Sequence, residues 1–394
     1  MKVLYWMSGS FDRRTPSEHL LTAIIEALYQ KGHTVHILQK DTSGPLPQLP
    51  ETLQKLGVTT TCVQVSLPKK SNFIARYLSD ARYVMACKKH IRKRDGYGAV
   101  FLQSTNVAGF AMGLLKNRLP GIPVTYNVQD IFPYNAVYSG NISGNGIAFK
   151  VLAAIQKYAY KRADHVVTIS EDMRDLLIEA GAPAEKVEYI YNWSYRDEPY
   201  KAEELDCSVA RSMFPEAYFN VVYAGNIGVM QNVDIVLKAA EQMREETDIR
   251  FHILGEGAYK EKLQKRAQEG CLTNVTFHPM QSSDLAPSIY MTADVNVIPL
   301  VKNVYRTALP SKTATCLACG KPVIFAIGKD SQFGQWLQKE TGCLVTSSDS
   351  AEELCQAIRR IKTGRTAATA EAVFMREFSK TKNSMRYALI LENM

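Results

Sequence analysis

The sequence predicts an α/β protein built from two doubly wound parallel sheets. Segments with the composition of buried strands alternate with segments of helical periodicity along the 394 residues, which is the pattern of parallel sheets covered by helices. The alternation weakens once, between about Ser194 and Tyr218, where charged residues and two prolines interrupt it. A chain of this length holds about two domains, so we predict one sheet on either side of that stretch.

The first half opens with a strand, a loop and a helix. Residues 2–7 form a short apolar run typical of a buried strand, and residues 8–16 form a polar loop. Residues 17–31 have apolar side chains at helical spacing, with Ser17 as N-cap and Gly32 directly after the helix. Further strands are predicted at 34–39, 99–103, 123–127 and 165–169, and a helix at 171–180.

The second half repeats the pattern after a predicted linker at residues 198–217. Strands are predicted at 220–224, 250–254, 275–277, 295–299 and 322–326, with helices at 234–247 and 258–269. A last helix is predicted at about 372–394, so the two domains span residues 1–197 and 218–371. Because doubly wound sheets bind ligands outside the carboxyl ends of their strands, we expect the functional residues there.

Composition excludes several classes of protein. Hydrophobic residues are 46% and charged residues 22% of the chain, which is ordinary for a globular protein. No window approaches about 18–20 uncharged apolar residues, so we expect no transmembrane helix. The first apolar run is too short for a signal-peptide core. The eight cysteines lack a framework spacing, which predicts free thiols in a reducing cytoplasm.

Positive charge is concentrated in the first half. Residues 1–200 hold 24 Lys and Arg against 17 Asp and Glu, a net of +7, while the whole chain carries +8. Between Lys69 and Arg94, nine basic residues stand against Asp80 alone. The stretch from Phe73 to Arg94 has helical spacing, and its apolar face is predicted to contain Ile74, Tyr77, Leu78, Ala81, Val84, Met85 and Ile91.

This basic stretch has two interpretations. A helix with an apolar face and basic flanks fits peripheral contact with an anionic membrane, where each basic residue contributes on the order of 1 kcal/mol. The alternative is an ordinary surface helix whose apolar face packs in the core. Nucleic acid is not expected as a partner, because the sequence has no recognised reader motif.

Four segments, in matching order and spacing, resemble the retaining glycosyltransferases of family 4, which have the GT-B fold. Residues 163–192 resemble the end of that family's N-terminal domain, and 221–243, 249–263 and 309–324 resemble parts of its donor domain. The Asn-Ile-Gly loop and Pro-Ser-Lys pattern are most similar to enzymes that build bacterial surface polysaccharides, such as capsule, O-antigen or exopolysaccharide. The resemblance implies two Rossmann-like domains facing a cleft, with the last helix returning to the N-terminal domain.

Lys312 is the strongest candidate for binding phosphate. It follows Ser311 at the start of a short predicted helix, where free backbone N–H groups and the helix dipole favour an anion. A lysine there is unfavourable unless an anion neutralises it. The alternative is a solvated lysine on an exposed turn. The resemblance implies that Lys312 is a catalytic residue that stabilises the departing nucleoside diphosphate.

Two glycine loops are further candidates for donor binding. Glycines let a backbone approach a ligand closely, and the resemblance implies this role for Gly225, Asn226 and Gly228 and, near the nucleotide base, for Gly255 and Glu256. The alternative for each loop is a tight turn without a ligand.

Four donor-site positions depart from the family's usual pattern. Most members carry two glutamates where this chain has Thr307 and Thr315, and an arginine and a lysine where it has Asn226 and Gln231. Either the donor site is rebuilt, with Thr315, Arg306 and Lys312 compensating, or donor binding is weak or absent. A threonine hydroxyl still bonds a ribose, but without the strength of a carboxylate.

The acceptor site is expected in the N-terminal half. A strand ends in a polar turn containing Gln129 and Asp130, where the family often carries a His-Asp or similar pair facing the reacting sugar. A carboxylate at Asp130 would orient the acceptor hydroxyl or stabilise a cationic transition state; the alternative is that it caps the next turn. In the first loop, Gly9 permits close approach, and Arg13 and Arg14 would bind an acceptor phosphate or remain solvated.

These residues and the resemblance imply a hexosyl- or N-acetylhexosaminyltransferase. We expect it to move a sugar with retention from a nucleotide sugar, of the UDP class, to a lipid-diphosphate-linked saccharide at the inner face of the plasma membrane. We expect no cofactor and, without an Asp-x-Asp motif, no metal. The lone Cys316/Cys319 pair is expected to pack in the donor-site helix. The alternatives are a weakly active or inactive scaffold subunit of a polysaccharide assembly complex, and a sugar-nucleotide epimerase.

Overall fold

Each half of the chain is organised around one parallel sheet. The computed structural model describes residues 1–11, 18–41, 49–65, 73–364 and 370–393. The chain divides into unit 1, formed by Met1–Tyr191 and Lys380–Met394, and unit 2, formed by Asn192–Ser379.

The sheet of unit 1 has seven parallel strands in the order β3-β2-β1-β4-β5-β6-β7 within the described residues. The central strands are apolar along their length, as strands covered on both faces must be; Val3, Leu4 and Tyr5 are fully buried. The strand bounds are β1 Lys2–Trp6, β2 Thr34–Asp41, β3 Thr59–Gln64, β4 Tyr97–Gln103, β5 Val124–Asn127, β6 His165–Thr168 and β7 Val187–Tyr189.

Helices connect these strands and cover the sheet. Their bounds are α1 Glu18–Gln30, α2 Glu51–Lys55, α3 Phe73–Cys87, α4 Ala108–Arg118, α5 Tyr134–Tyr138, α6 Ile147–Arg162 and α7 Glu171–Glu179. Helix α4 packs against both α3 and α6. Its contact with α6 is close, because a Cβ on Gly109 would lie 2.3 Å from the carbonyl oxygen of Ile155. The three helices therefore form one continuous layer.

In the part of unit 2 that the structure describes, the sheet has six parallel strands in the order β10-β9-β8-β11-β12-β13. The strand bounds are β8 Phe219–Ala224, β9 Ile249–Leu254, β10 Val275–His278, β11 Val295–Pro299, β12 Val323–Ala326 and β13 Leu344–Thr346. The helix bounds are α8 Ser208–Met213, α9 Asp234–Gln242, α10 Lys260–Glu269, α11 Ala286–Thr292, α12 Thr313–Ala318, α13 Gln332–Thr341, α14 Ala351–Lys362 and α15 Ala370–Glu377. Two doubly wound parallel sheets confirm the predicted fold class.

The border between the units differs from the predicted linker at 198–217. That stretch belongs to unit 2 and contains α8. The backbone N–H of Tyr200 donates to the carbonyl of Ala318 over 2.8 Å, which ties the stretch to the unit 2 core. Proline and charge weaken the sequence pattern here, but they do not prevent it from packing.

The chain end also differs from the single helix predicted at 372–394. Helix α15 packs on α12 and α13 in unit 2, whereas α16, Lys380–Glu392, packs on α1 in unit 1. The chain leaves unit 2 at Ser379, whose hydroxyl donates to Asp197 over 2.6 Å. The buried faces of the two helices therefore belong to different cores.

The basic stretch is not one amphipathic helix. Helix α3 ends at Cys87, and two short 3₁₀ turns follow at Lys88–His90 and Lys93–Asp95. Val84 and Ile91 are buried, whereas Ile74 and Met85 are 64% and 68% exposed. The predicted apolar face is thus divided between the core and the solvent; on the core side, α3 packs against β3 and α4. Lys69 and Lys70 lie outside the described residues.

The eight cysteines are free. Burial raises the pKa of the Cys319 thiol to about 12, and Cys316 beside it is fully buried, in keeping with a packing role in α12. Of the helices in the described ranges, none combines the length and apolar character needed to cross a bilayer.

Candidate functional site

Lys312 lies at the carboxyl edge of the unit 2 sheet, directly before α12. Its Nζ donates a 2.6 Å hydrogen bond to the carbonyl oxygen of Ala224, the last residue of β8. The same nitrogen lies 4.0 Å from the ring centroid of Tyr223. A Cβ on Gly225 would approach Nζ to 2.7 Å, so glycine at this position leaves room for the lysine head group.

The ammonium of Lys312 is not neutralised by a carboxylate. Among the described residues, none of its electrostatic neighbours is acidic, and desolvation lowers its pKa from 10.5 to about 8. The residue nevertheless keeps partial solvent access. A cation held in a desolvated place without a counter-charge is a site prepared for an anion.

The two glycine loops pack backbone to backbone beside Lys312. Gly225 and Gly255 have φ angles of +145° and +149°, which favour glycine. A Cβ on Gly255 would lie 1.8 Å from the carbonyl oxygen of Gly225, so no other residue fits there. The N–H of Ile227 donates to the carbonyl of Glu256 over 2.8 Å. The loops therefore hold each other in place at the ends of β8 and β9.

The polar side chains of these loops bond to protein partners. Asn226 Nδ2 donates to Gln231 Oε1 over 3.2 Å, and both side chains lie at the surface. Glu256 forms a 2.6 Å ion pair with Lys260 and is 58% exposed. The two residues that replace the family's arginine and lysine therefore form a neutral pair.

The two threonines at the family's glutamate positions are buried. The Thr307 hydroxyl donates to the carbonyl of Val304 over 3.0 Å. The Thr315 hydroxyl lies 3.1 Å from the hydroxyl of Ser194. Arg306 is half-buried beside Thr307 in a 3₁₀ turn. Each threonine hydroxyl therefore already contacts at least one polar group of the protein.

The start of α12 offers fewer free N–H groups than an ideal helix terminus. Ser311 is exposed, but the N–H of Thr313 donates to the carbonyl of Pro310 over 3.1 Å. The helix is only six residues long. The charge of Lys312, more than the helix dipole, therefore makes this edge attractive to an anion.

In unit 1, Gln129 and Asp130 follow β5 at the carboxyl edge of the sheet. Gln129 Nε2 donates to Asn127 Oδ1 over 3.0 Å, and Asn127 Nδ2 donates to Gln103 Oε1 over 2.9 Å. The hydroxyl of Tyr387, on α16, donates to the same Asn127 oxygen over 3.3 Å. These hydrogen bonds form a polar network around the buried Asn127 that supports the turn at residues 129 and 130.

Asp130 is exposed, and its carboxylate makes no hydrogen bond to the described residues, so it does not cap the next turn. The protein around it nevertheless removes water and raises its pKa from 3.8 to about 6. At neutral pH the carboxylate is ionised and available to a ligand.

The loop after β1 contributes less to the candidate acceptor site than the turn after β5 does. Gly9 is exposed, its carbonyl accepts a 3.0 Å bond from the N–H of Lys40, and a Cβ there would meet only Met7, at 4.0 Å. The described surroundings therefore do not require glycine at this position. Arg13 and Arg14 lie outside the described residues.

Sequence reasoning missed four residues that support the sites. Tyr223 was visible only as a strand residue before the glycine loop, and Ser194 lies 121 positions from the threonine that it contacts. Asn127 and Tyr387, which form a hydrogen bond with each other, are 260 positions apart in the sequence. No group of three metal-binding side chains occurs within the described ranges.

Comparison with known families and proteins adds to this geometry. The family model described as "Glycosyl transferase 4-like domain" matches residues 18–193, and the one described as "Glycosyl transferases group 1" matches residues 218–363. WcaI of Escherichia coli (strain K12), named for glycosyl transfer in colanic acid biosynthesis, is 30% identical over 252 residues, 62% of this chain and 61% of that protein. The glycosyltransferase WbjE of Pseudomonas aeruginosa is 25% identical over 293 residues, 73% of this chain and 71% of WbjE.

Solved structures with low identity share the fold. Anabaena HepE, crystallised with UDP and glucose, superimposes with a TM-score of 0.73 at 16% identity, and both chains are covered completely. Sucrose-phosphate synthase from Thermosynechococcus elongatus has a TM-score of 0.77 at 17% identity, covering 100% of this chain and 98% of that one. The solved structures show the GT-B fold, and the two family models, which match residues 18–193 and 218–363, show that the chain belongs to the family 4 glycosyltransferases.

Proposed function

We propose that this protein transfers a hexosyl or N-acetylhexosaminyl group from a UDP-sugar to a lipid-diphosphate-linked saccharide during cell-surface polysaccharide synthesis. The observation that carries the donor half of this proposal is the ammonium of Lys312, desolvated and without a carboxylate beside two interlocked glycine loops. The names of WcaI and WbjE support polysaccharide synthesis, and the UDP bound by HepE supports the nucleotide.

In the proposed reaction, Lys312 performs the main electrostatic task. Negative charge develops on the departing diphosphate, and a cation already desolvated at that point needs no reorganisation. With a pKa of about 8 the lysine is already mostly charged at pH 7, and binding of the anion raises this pKa towards its ordinary value. No metal takes part, and the sugar leaves with its anomeric configuration retained.

The remaining residues bind the two substrates. Gly225, Asn226, Gly228 and Gln231, with Gly255, Glu256, Ser311, Arg306 and Thr315, would surround the donor. Asp130 would orient the acceptor hydroxyl or stabilise positive charge on the sugar, and Gln129, Gly9, Arg13 and Arg14 would bind the acceptor. The ionised state of Asp130 above pH 6 is compatible with either role.

A nucleotide titration tests the donor site. UDP, GDP, ADP and dTDP are added to the wild type, to Lys312→Met and to Lys339→Met, a matched control whose side chain is 82% exposed. Ligand at a hundredfold excess over Kd stabilises by about 2.7 kcal/mol, so UDP should raise the Tm of wild type and control clearly. Lys312→Met should lose most of that shift. No shift in the wild type with any nucleotide would overturn the donor assignment.

Two observations favour a second candidate function, a weakly active or inactive scaffold subunit of a polysaccharide assembly complex. The Asn226–Gln231 pair is neutral, and Thr315 bonds to Ser194. Measuring the release of UDP from a UDP-sugar in the presence of lipid-linked acceptors distinguishes the transferase from the scaffold. Nucleotide binding without any turnover across an acceptor panel would favour the scaffold.

A further inference from the structure

Lys312 keeps its position in the candidate anion site without an ion-pair partner among the described residues. The hydrogen bond of its Nζ to the carbonyl oxygen of Ala224 uses one of the three N–H donors of an ammonium. One hydrogen bond does not fix a long side chain with several rotatable bonds. The contact that completes its fixation is the ring of Tyr223, whose centroid lies 4.0 Å from the same nitrogen.

The ring of Tyr223 is held by the core of unit 2. Tyr223 is the fifth residue of β8 and is only 1% exposed. It packs in a cluster of buried side chains from the strands and helices around it, namely Ile227, Val233, Leu237, Ile253, Leu263 and Ala267. A ring packed in this way presents one fixed face to the ammonium. That geometry is the one in which a cation is attracted by the π electrons of an aromatic ring.

The hydroxyl of Tyr223 makes a second contact at the same site. It donates a 2.5 Å hydrogen bond to the carbonyl of Asn226, in the first glycine loop. Burial raises the pKa of this phenol, so the hydroxyl keeps its proton at neutral pH. A Cβ on Gly225 would lie 2.7 Å from Lys312 Nζ and 3.7 Å from the tyrosine oxygen. The lysine, the tyrosine and the loop therefore meet at one point.

A neutral partner suits a lysine that binds an anion. A carboxylate would also hold the ammonium, but it would cancel its charge and repel an incoming diphosphate. An aromatic ring attracts the ammonium through its quadrupole, and a carbonyl does so through its dipole, so both leave the net charge of the lysine in place. Desolvation lowers the pKa of Lys312 to about 8, so a contact that favours the charged form directly affects the charged fraction.

We propose that Tyr223 is a positioning residue that orients both groups facing the anion. Its ring holds the ammonium of Lys312 in place of a counter-ion. Its hydroxyl holds the glycine loop at residues 225–228 beside that ammonium. Tyr223 acts through these two groups only. The identity of the anion as a nucleoside diphosphate rests on the proposed function, whereas the two contacts of Tyr223 do not.

The ionisation of Lys312 tests the role of the ring. Tyr223→Phe is compared with mono-, di- and trifluorinated phenylalanine at the same position, because fluorine withdraws π electrons and nearly keeps the shape of the ring. The same series at Tyr218, whose ring centroid lies 4.1 Å from the guanidinium carbon of Arg250, is the matched control in unit 2. Trace acetylation with acetic anhydride at increasing pH, quantified on the peptide that contains Lys312, gives the acid dissociation constant of its ammonium.

Each added fluorine at position 223 should favour loss of the proton from Lys312. Relative to Tyr223→Phe, the trifluorinated ring should raise the acid dissociation constant about fivefold, the effect of a desolvated cation–π contact. The series at Tyr218 should leave that constant within about twofold, because its ring faces Arg250. A change in packing alone would not follow the number of fluorines. An unchanged constant across the series at 223, or an equal change across the series at 218, would overturn the role of the ring.

Binding of inorganic pyrophosphate tests the role of the hydroxyl. This probe has the charge of a diphosphate and no base, and protection of Lys312 from acetylation reports its binding. Tyr223→Phe should weaken binding about fivefold, because the carbonyl of Asn226 loses its donor and the loop is no longer held. Tyr218→Phe should bind as the wild type does. Equal affinity of Tyr223→Phe and the wild type, or no protection in the wild type, would overturn this role.

Two further measurements keep the result specific. The Tm of each ligand-free variant shows whether it is folded. If Tyr223→Phe does not fold, monofluorotyrosine at position 223 keeps the hydroxyl, weakens the attraction of the ring and should still raise the dissociation constant of Lys312. UDP is then added to the same proteins. Binding of pyrophosphate without binding of UDP would support the role of Tyr223 and refute the nucleotide of the proposed function.

Discussion

At the scale of single residues, Lys312 and Asp130 share one property: each carries a charge that its surroundings disfavour. Removal of water lowers the pKa of Lys312 and raises that of Asp130. Strongly shifted groups at the carboxyl edge of parallel sheets are candidates for function, because the protein gains no stability from them in the free state. The free-energy cost of these desolvated charges can be measured, and it gives a direct test of the roles assigned to Lys312 and Asp130.

Replacing Lys312 with methionine should stabilise the ligand-free protein. The folded-state pKa of about 8 lies below the unfolded value of 10.5, so the penalty for the charge is fully present below pH 8 and fades as pH rises towards 10.5. We expect Lys312→Met to gain about 1–2 kcal/mol at pH 7 and several-fold less at pH 10. Native-state hydrogen exchange of β8 amides measures the change, with Lys339→Met as control; a loss of stability at pH 7 would contradict this account.

The rate of transfer should depend on the ionisation of Asp130. Since its pKa is raised to about 6, the carboxylate is present above pH 6 and is lost as pH falls through that value. We expect kcat/KM to fall about tenfold per pH unit below pH 6. Asp130→Asn should be slow at every pH, without this limb. Asp248→Asn, at a 61% exposed side chain in unit 2, should keep the wild-type profile.

At the scale of elements, α16 supports the candidate acceptor turn, residues 129 and 130. Tyr387 is fully buried, its ring meets Phe101 at 5.9 Å, and its hydroxyl bonds to Asn127, which in turn holds Gln129. The helix is therefore part of the unit 1 core, although the chain reaches it only after all of unit 2.

Substitutions at Tyr387 should separate packing from hydrogen bonding. Tyr387→Phe should cost about 1 kcal/mol in unit 1, because it removes the hydrogen bond to Asn127. Tyr387→Ala should cost about 3–5 kcal/mol, because it leaves a cavity against β4. Leu389→Ala, at a 40% exposed position of the same helix, should cost less than about 0.5 kcal/mol. Hydrogen exchange of β1 and β4 amides measures all three; equal effects of Ala at 387 and 389 would refute the packing role.

At the scale of the whole molecule, the candidate anion site and most of the net positive charge lie in different halves of the chain. The candidate anion site is in unit 2, whereas the basic stretch from Phe73 to Arg94 is in unit 1. Residues 1–200 carry +7 of the total of +8. The excess of positive charge therefore lies in the half of the chain that contains the first sheet, whereas the candidate anion site in unit 2 depends on the single ammonium of Lys312.

Transfer by the complete enzyme should not require a divalent metal. The proposal assigns neutralisation of the diphosphate to Lys312, so excess EDTA should leave kcat within about twofold of its untreated value, whereas Lys312→Met should lower it about 10²–10³-fold. UDP release measured with and without EDTA provides the check. Loss of activity in EDTA that is restored by Mg²⁺ or Mn²⁺ would show that a metal performs this task.

The sequence by itself determined the alternation of strands and helices and the presence of two parallel sheets, because periodicity reports local geometry. It also named Lys312 as a candidate, which remains a prediction. The tertiary structure decided which helix faces are covered: the apolar face predicted for residues 73–94, which the sequence left open between core and membrane contact, is buried at Val84 and exposed at Ile74 and Met85. It also decided the pairing of Thr315 with Ser194 and the separation of α15 from α16. These features depend on groups distant in sequence that meet only when each core closes, and local patterns carry no record of them.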